Sequence, residues 1–474
     1  MIAGIDAGTQ SLKVIILSPD LKILGQHAIG YQPDFPRAGW AEQDPRLWER
    51  ALRPAIGGAL ADAGIAPQDI TALGVAGQLD GCIATDAAGQ ALHSCLIWMD
   101  RRAEAEIAGI DPAFIQARTG VILDASHLAA KIRWLKTHLP EARDAVTFHV
   151  PVSYLVARLT GASVIDHATA STSMIYRLKT RAYDPDLLAL FGIDETELPV
   201  PREAFADAGT LTPAGADLTG LPQGVRVVTG TGDDFSSALG AGLVAPGCLL
   251  NILGTAEVTG ALHGGPAIDP QRLVETHAYS PGQYFIENPG WLSGGALTWF
   301  RTLFNLESFD ELTALAAAVP AGAAGVPFLP ALTEETAPEW IASARGAFYG
   351  LSPSHGTGHL ARALLEGTAF AMRDVRDRLV EMGLTIDALR IVGGGAKSPL
   401  WREIRSGVTG LPVELPKYTD TSPLGAALLA CANPLEAARA ANPIVLAEEP
   451  GGGGDYEEAY QRYRRLFCAL RPLF

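Results

Sequence analysis

Residues 4–14 read GIDAGTQSLKV: an apolar run ends on Asp6, turns through Gly8-Thr9, and returns along a second apolar run that contains Lys13. Period-2 patterning makes this a hairpin, with strands at Met1–Ile5 and Lys13–Ser18 and a third at Ile23–His27. The same plan recurs about half a chain later, where Cys248–Leu253 and Glu257–Leu262 flank Gly254-Thr255. One repeated dipeptide leaves two readings open, because a Gly-Thr turn between apolar strands is common. Either the repeat is coincidence, or the chain is a duplicated α/β unit whose halves each aim a hydrogen-bonding turn at a shared cleft. Glycine lets backbone N–H groups approach a ligand closely and threonine adds a hydroxyl, so phosphate is the natural occupant of such turns.

Around the two hairpins, strands alternate with helices, the pattern of layered α/β folds. Helices are expected at Pro45–Ala63, His127–His138, Tyr154–Leu159, Phe309–Ala317, His359–Glu381 and Pro399–Thr409, and further strands at Ala72–Ala76, Val225–Val228 and Leu389–Val392. Pro450 and Gly451–Gly454 should break the chain before a last helix. There Asp455 and Glu458 suit a capping box, and Tyr456, Tyr460, Tyr463 and Phe467 share one packing face.

The 474 residues suffice for two domains of over 200 residues, and 48% hydrophobic with 19% charged residues describes a globular chain. A net charge of −16 would repel a phosphate backbone, and the short cluster Arg462, Arg464 and Arg465 does not offset it, so nucleic acid is not an expected partner. The five cysteines are scattered without C-x-x-C spacing, which suggests neither a disulfide framework nor a zinc knuckle. Asp6 interrupts the N-terminus before a signal peptide could form, and no unbroken apolar run approaches ~18 residues. A cytoplasmic protein that does not span a membrane is expected.

Four segments could carry chemistry. Asp6 could hold Mg²⁺ beside the phosphate-binding turn, with Lys13 adding positive charge, or could initiate the turn by bonding its own backbone. Gly393–Gly395, between a buried strand and a helix, allow close approach of a flat or anionic ligand, or form a plain connection; Ala396 before Lys397-Ser398 departs from a Walker A loop, and Ser398 breaks G-x-G-x-x-G. His355 and His359 stand four apart, but Gly356 and Gly358 should break the helix a zinc pair needs, so exposed or capping histidines are expected. In TGDDFSS, residues 231–237, Asp234 could be a helix N-cap with Asp233 a solvated neighbour, or a carboxylate there could be a general base at a strand end.

Taken in order, these segments resemble the FGGY carbohydrate kinase family, most closely its xylulokinase branch. The likeness runs nearly end to end: GIDAGTQSLKV, GWAEQDPRLW at 39–48, GVAGQLDG at 74–81, LIWMDRR at 96–102, AKIRWL at 130–135, GTGDDFSSALGAG, LNILGTAEV, GAFYGLSPSHGTGHLARALLEG at 346–367, VGGGAKSPLWREI at 392–404 and SPLGAALLA at 422–430. The resemblance implies two actin-like (ribonuclease H-like) α/β ATPase domains, residues 1–236 and 237–474, with the active site in the cleft between them. It implies ATP and Mg²⁺ as cofactors. Asp233 would be the catalytic base and share the metal with Asp6. Gly8, Thr9, Gln10 and Lys13 would meet phosphates from one side, Gly254 and Thr255 from the other, and Gly393, Gly394, Gly395 and Ser398 would lie against the nucleotide. Gln78, Leu79, Asp80, Trp98, Asp100 and Asp234 would face the sugar. Dimers occur in the family, although no exposed stripe here demands a homodimer.

Several residues depart from the family pattern. The turn Gln78-Leu79-Asp80 replaces the Gln-Met-His usual in xylulokinases, and a carboxylate, which only accepts, should prefer donating hydroxyls. Glycerol kinases place an acid there after an arginine, but Leu79 has no charge and Ser126 replaces their tyrosine. LTEETAPEW at 332–340 lacks the arginine of a common Gly-Glu-Arg-Thr-Pro stretch, Leu128 stands where Pro, Ser or Thr is usual, and Asp234 replaces an Asn. Asp234 either caps the helix as Asn would, or shapes the acceptor pocket together with Asp80. The acceptor expected first is D-xylulose, then another pentulose or a four- or five-carbon polyol. Two other classes share the fold: actin-like ATPases, which need no such sugar turn, and sugar-binding pseudo-kinases, which would be expected to lose Asp6 or Asp233.

Overall fold

A computed structural model describes residues 1–333, 337–450 and 456–474. The Gly451–Gly454 break and Asp455 of the expected capping box lie outside the described residues, as do residues 334–336 of the 332–340 loop.

The opening apolar runs form β1 (Ile2–Ala7), β2 (Ser11–Leu17) and β3 (Ile23–Gly30), an antiparallel meander. The sheet extends through β4 (Ala72–Gly77), parallel to β1, and β5 (Asp207–Thr210), β6 (Arg226–Val228) and β7 (Thr231–Gly232), giving the order β5-β6-β4-β1-β2-β3 with β7 also paired to β4. The second half repeats this plan. β8 (Gly247–Leu253) and β9 (Glu257–His263) form the hairpin, and β10 (Glu275–Ser280) and β11 (Gln283–Asn288) continue it. Beyond β8 stand the parallel strands β12 (Ile386–Val392) and β13 (Val413–Pro416), then antiparallel β14 (Ile444–Glu448). In both sheets a meander lies on one side of the first strand and parallel strands on the other. Duplication, not coincidence, accounts for the two Gly-Thr turns.

Helix α1 (Pro45–Ala63) starts where Asp44 accepts from Arg46 N, with Pro45 at its first position, and ends at the left-handed Gly64. It buries Trp48, Leu52, Ile56 and Ala59 on one stripe against β2 and β3. α2 (Leu128–His138) begins one residue later than the spacing suggested, leaving His127 extended at the capping position, and α3 (Pro151–Thr160) packs beside β4. In the second half, α5 (Thr357–Glu381), α6 (Pro399–Thr409) and α8 (Glu457–Leu470) surround a core that takes in Leu249, Ile391, Trp401, Tyr460 and Tyr463. The aromatic face of the last helix is therefore packing, as its period indicated. Gly358 does not break α5: it lies inside the first turn, where a Cβ would stand 2.7 Å from Leu315 O. His355 and His359 accept from the amides of Ser352 and Gly356, so they are turn and cap residues.

The two sheets are joined by crossed helices. α4 (Asp233–Gly240) belongs to the first half, yet Phe235, Ala238 and neighbours pack with Leu250, Leu262 and Val392 of the second sheet. α7 (Ser422–Leu429) belongs to the second half, yet Leu424, Ala427 and Leu428 pack with Ile15, Leu17, Ala72 and Val228 of the first. Side-chain alternation along β2 explains this, since Leu12, Val14 and Ile16 face α1 while Ile15 and Leu17 face α7. The approach is close enough to require glycine: a Cβ on Gly74 would lie 1.7 Å from Ala426 O, and one on Gly425 would lie 1.8 Å from Ser236 O. The 236/237 position falls within α4, so the chain passes between the sheets inside a helix.

Candidate active site

Strand register brings the first half of the site together. Asp6 pairs with Lys13 across the hairpin and with Ala76 on β4, and Ala76 pairs in turn with Thr231. One step on, Ala7, Gly77 and Gly232 share a row. Gly8, Gln78 and Asp233 therefore leave the same edge of the sheet, although more than 150 positions separate the last two in sequence. The Thr231-Gly232 segment is held from beneath: Thr231 donates to Asp166 Oδ2 at 2.8 Å and Gly232 N donates to Thr169 Oγ1 at 2.9 Å. Leu79 packs so tightly over Gly232 that a Cβ there would stand 2.0 Å from it. Asp233 thus starts α4 with little freedom in its backbone.

The Gly8-Thr9 turn is tied by side chains. Tyr31 donates to Gly8 O at 2.8 Å, Gln43 to Thr9 O at 2.9 Å, and the half-exposed Trp98 to Thr9 Oγ1 at 3.0 Å. Gln78 Nε2 donates to Gln43 Oε1 at 2.8 Å, which links the expected sugar turn to the expected phosphate turn. Gln10 O accepts from Tyr31 N at 2.9 Å and closes the tip of the hairpin. Lys13 reaches the other half of the chain and pairs with Asp420 at 2.9 Å.

The second half carries the corresponding turn. Gly254 N donates to Ala256 O at 3.0 Å, and the carbonyls of Gly254 and Thr255 accept from Gly294 and from Ser293 and Gly295. Gly393, with φ +85°, abuts Leu253, where a Cβ would lie 2.5 Å from Leu253 O, so the 393–395 turn and the Gly254-Thr255 turn are neighbours. Gly395 is wedged between Leu253 and Trp401, whereas a Cβ on Gly394 would meet open space. Ser398 caps α6, accepting from Trp401 N at 3.4 Å. Beneath this turn Arg405 and Glu257, both fully buried, form a bidentate pair at 2.6 and 2.7 Å.

Charge is concentrated at the shared edge of the first sheet. Burial, with Asp233 nearby, pushes Asp6 up to about 7, and Asp6 Oδ1 is buried without a hydrogen-bond partner. Asp6 does not bond its own backbone, so the turn-initiating reading does not hold. Burial and the adjacent Asp234 raise Asp233, while burial, Asp80 and Asp6 raise Asp234. Asp234 is the second residue of α4, whose capping position is Gly232 with no side-chain cap, so Asp234 is not an N-cap. Such shifts place carboxylates in the range where bases work near neutrality.

Asp80 has a left-handed backbone, φ +53°. Its Oδ1 accepts from Thr172 at 2.8 Å and lies 3.3 Å from His127 Nδ1, at ion-pair rather than hydrogen-bond geometry. Burial works against the Asp80 carboxylate, but His127 and Lys131 hold it below its usual value. Lys131 donates to the carbonyls of Asp80 and Ile97, at 2.6 and 2.8 Å, and so fixes the turn. Asp100 is fully buried; it accepts from Ala41 N at 2.7 Å and pairs with Arg102 at 2.7 Å, so it braces the 96–102 loop.

Sequence reasoning missed a group on the second sheet. Glu275 of β10 is the cross-strand partner of Glu287 on β11, and His277 Nε2 lies 3.6 and 3.3 Å from them. Like charges directly opposed in a sheet repel. Burial, with Asp234 and Glu275 close by, raises Glu287 well above the usual carboxylate range. The available signal was weak: Glu275 and His277 alternate on β10, and Glu287 stands alone on β11. Among the described residues, no three His, Cys, Asp or Glu side chains cluster as a metal site.

This arrangement defines a two-domain α/β protein in which each sheet carries a glycine-threonine hairpin turn and the first also carries a strand-end carboxylate. Residues 1–240 match the N-terminal domain, and residues 249–433 the C-terminal domain, of the FGGY family of carbohydrate kinases, and the chain belongs to that family. It is 30% identical to xylulose kinase of Escherichia coli (strain K12) over all of both chains. It is 32% identical to glycerol kinase of Acidovorax ebreus (strain TPSY), over 90% of this chain and 89% of that one. The crystal structure of xylulose kinase from Rhodospirillum rubrum superimposes with a TM-score of 0.89 at 29% identity, covering 99% of each chain. The protein is an ATP-dependent carbohydrate kinase. Xylulose and glycerol kinases match it at similar identity, so relatedness alone does not select the acceptor.

Proposed function

We propose that the chain transfers the γ-phosphoryl group of ATP to a hydroxyl of a ketopentose, with D-xylulose the first candidate and another pentulose or a four- or five-carbon polyol next. The observation that carries this reading is the shared strand edge, which sets Asp233 beside both the sugar turn at Gln78 and the phosphate turn at Gly8. Asp233 would take the proton of the acceptor hydroxyl as its oxygen attacks phosphorus in line with the departing ADP oxygen. Gly8, Thr9, Gln10 and Lys13 would hold phosphate oxygens from one sheet, and Gly254 and Thr255 from the other. Gly394, the open glycine of its turn, would lie against the nucleotide, with Gly393, Gly395 and Ser398 shaping that turn. Asp6 and Asp233 fit a hard cation that keeps most of its ligands as water and phosphate, and the unpartnered Asp6 oxygen is suited to it. Bound there, Mg²⁺ would neutralise charge on the phosphates.

On the acceptor side, Gln78, Leu79, Asp80, Trp98 and Asp234 would meet the sugar. Asp100 would act through the loop it braces. The sugar and phosphate side would comprise residues 1–236 and the nucleotide side 237–474, in a cytoplasmic enzyme.

ADP release measured across ketopentoses, alditols and aldonates, for the wild type and Asp233→Ala, tests the reading. A ketopentose should give the largest kcat/KM, and the variant should bind ATP but lose turnover by ~10²–10⁴-fold. Near-normal turnover in the variant, or no response to any acceptor, overturns it.

A further inference from the structure

Besides the crossed helices, the second sheet reaches the first domain through β10. The outer edge of β10 docks there: Thr276 N donates to Gly120 O at 3.0 Å and Ala278 N to Ser171 Oγ at 3.1 Å. An edge strand with unpaired amides is thereby covered by the other domain. Next to the first of these contacts, Glu275 Oε1 accepts from Ile122 N at 2.8 Å and lies 3.5 Å from His127 Nε2. The other nitrogen of the same imidazole faces Asp80 Oδ1. Glu275 and His127 are each about 95% buried, so the contact is poorly screened by solvent. Burial opposes a charge on His127, but Asp80 and Glu275 raise it well above its ordinary value, and an imidazolium between two carboxylates is the consistent charge state.

Resting on the kinase reading of the acceptor turn, we propose that His127 and Glu275 form an interdomain clasp that positions Asp80 for the acceptor only while β10 is docked on the first domain. Thr172 and His127 both engage Asp80 Oδ1, and among the described residues no partner reaches Oδ2, which is left for an acceptor hydroxyl. His127 and Glu275 are positioning residues; neither is required to touch the acceptor. The second domain, by this account, helps select the sugar as well as binding nucleotide. Removing Glu275 releases both the Ile122 amide and the ring that orients Asp80, whereas removing His127 releases the ring alone.

The test uses the full-length enzyme with His127→Gln, Glu275→Gln and the double variant, assayed on the best acceptor of the panel. Each single variant should raise the acceptor KM about 10-fold or more, because it removes a buried ion-pair contact that orients Asp80, with kcat within about 2-fold and the ATP KM unchanged. The double variant should be no worse than Glu275→Gln, because the two residues act as a unit. An unchanged acceptor KM with a lowered Tm, or KM effects that multiply, overturns the clasp. Hydrogen exchange without any ligand supplies an arm independent of turnover: Glu275→Ala, which removes the acceptor of the Ile122 amide, should speed exchange over residues 120–126. If the wild type phosphorylates nothing, the kinase reading fails by itself, and unchanged exchange in the variant overturns the clasp separately.

Discussion

The two hairpins share one fold and differ in what surrounds their tips. At the first, a buried carboxylate, Asp6, precedes the turn and four side chains from other elements hold or adjoin it: Tyr31, Gln43, Trp98 and, across the strand pair, Lys13. At the second, Ile252 stands where Asp6 does, and the turn is held by the backbone amides of residues 293–295. Its charge is withdrawn beneath it, in the fully buried Glu257–Arg405 pair. The repeated plan supplied two equivalent Gly-Thr turns, and the chain put ionisable chemistry on one and a neutral surface on the other. That division suits phosphoryl transfer, where positioning and charge neutralisation carry most of the catalysis.

The sharpest way to break the comparison is Asp6→Asn, which makes the first tip neutral like the second. Turnover should fall by ~10²–10³-fold, the loss of one preorganised electrostatic contribution. Its stability should move the other way. A carboxyl whose folded value is raised from 3.8 to about 7 contributes stability that is present below about pH 4 and lost as pH rises through 7. In EDTA, thermal melts should therefore show Asp6→Asn more stable than wild type at pH 8 and nearly equal to it at pH 4. Added Mg²⁺ should raise the Tm of the wild type only. A Mg²⁺ response that persists in the variant would remove Asp6 from the metal site.

At the second tip the corresponding change is Glu257→Gln, which strands the Arg405 guanidinium in the core. Urea unfolding should show a loss of about 3–5 kcal/mol, the cost of breaking one partner of a buried pair. A loss below about 1 kcal/mol would mean that the pair does not support the turn.

The glycines beside that turn separate shape from contact. Gly393→Ala forces a side chain into a left-handed backbone against Leu253, and should cost ~1–3 kcal/mol of stability. Gly394→Ala points into open space and should leave Tm unchanged while weakening ATP binding several-fold, as read by calorimetry. Equal ATP affinity in Gly394→Ala and wild type would place the nucleotide elsewhere.

The smallest effect is expected at the rim of the first tip. Trp98→Phe removes only the hydrogen bond to Thr9 Oγ1, worth ~1 kcal/mol, and should lower kcat/KM by a few-fold without shifting the melting curve.

Much of this architecture was legible from local pattern. Hydrophobic period located both hairpins, α1, the helix Phe309–Ala317 and α6 nearly to the residue, and the order of short motifs identified the family before any coordinate was known. Local pattern works where a segment's own alternation and caps decide its form. It failed at Asp234, which looks like a cap in sequence, because Gly232 already holds the capping position once Thr231-Gly232 is pinned to β4 and Thr169. It says nothing of the surroundings of Asp100, since only the folded loop shows Arg102 and Ala41 N taking the carboxylate.

By itself, then, the sequence determined the repeated α/β class, the two Gly-Thr hairpin turns and the kinase family, because each is written in short runs whose spacing is set by strand and turn geometry. Only the tertiary structure decided that α7, from the second half, completes the core of the first sheet, and that Glu275, His277 and Glu287 come near Asp80 and Asp234. Those contacts join segments that are remote in sequence and lie on different elements, and their strength depends on burial and on facing charge. Neither quantity belongs to a segment of chain; both exist only once the two domains have closed around the same small volume.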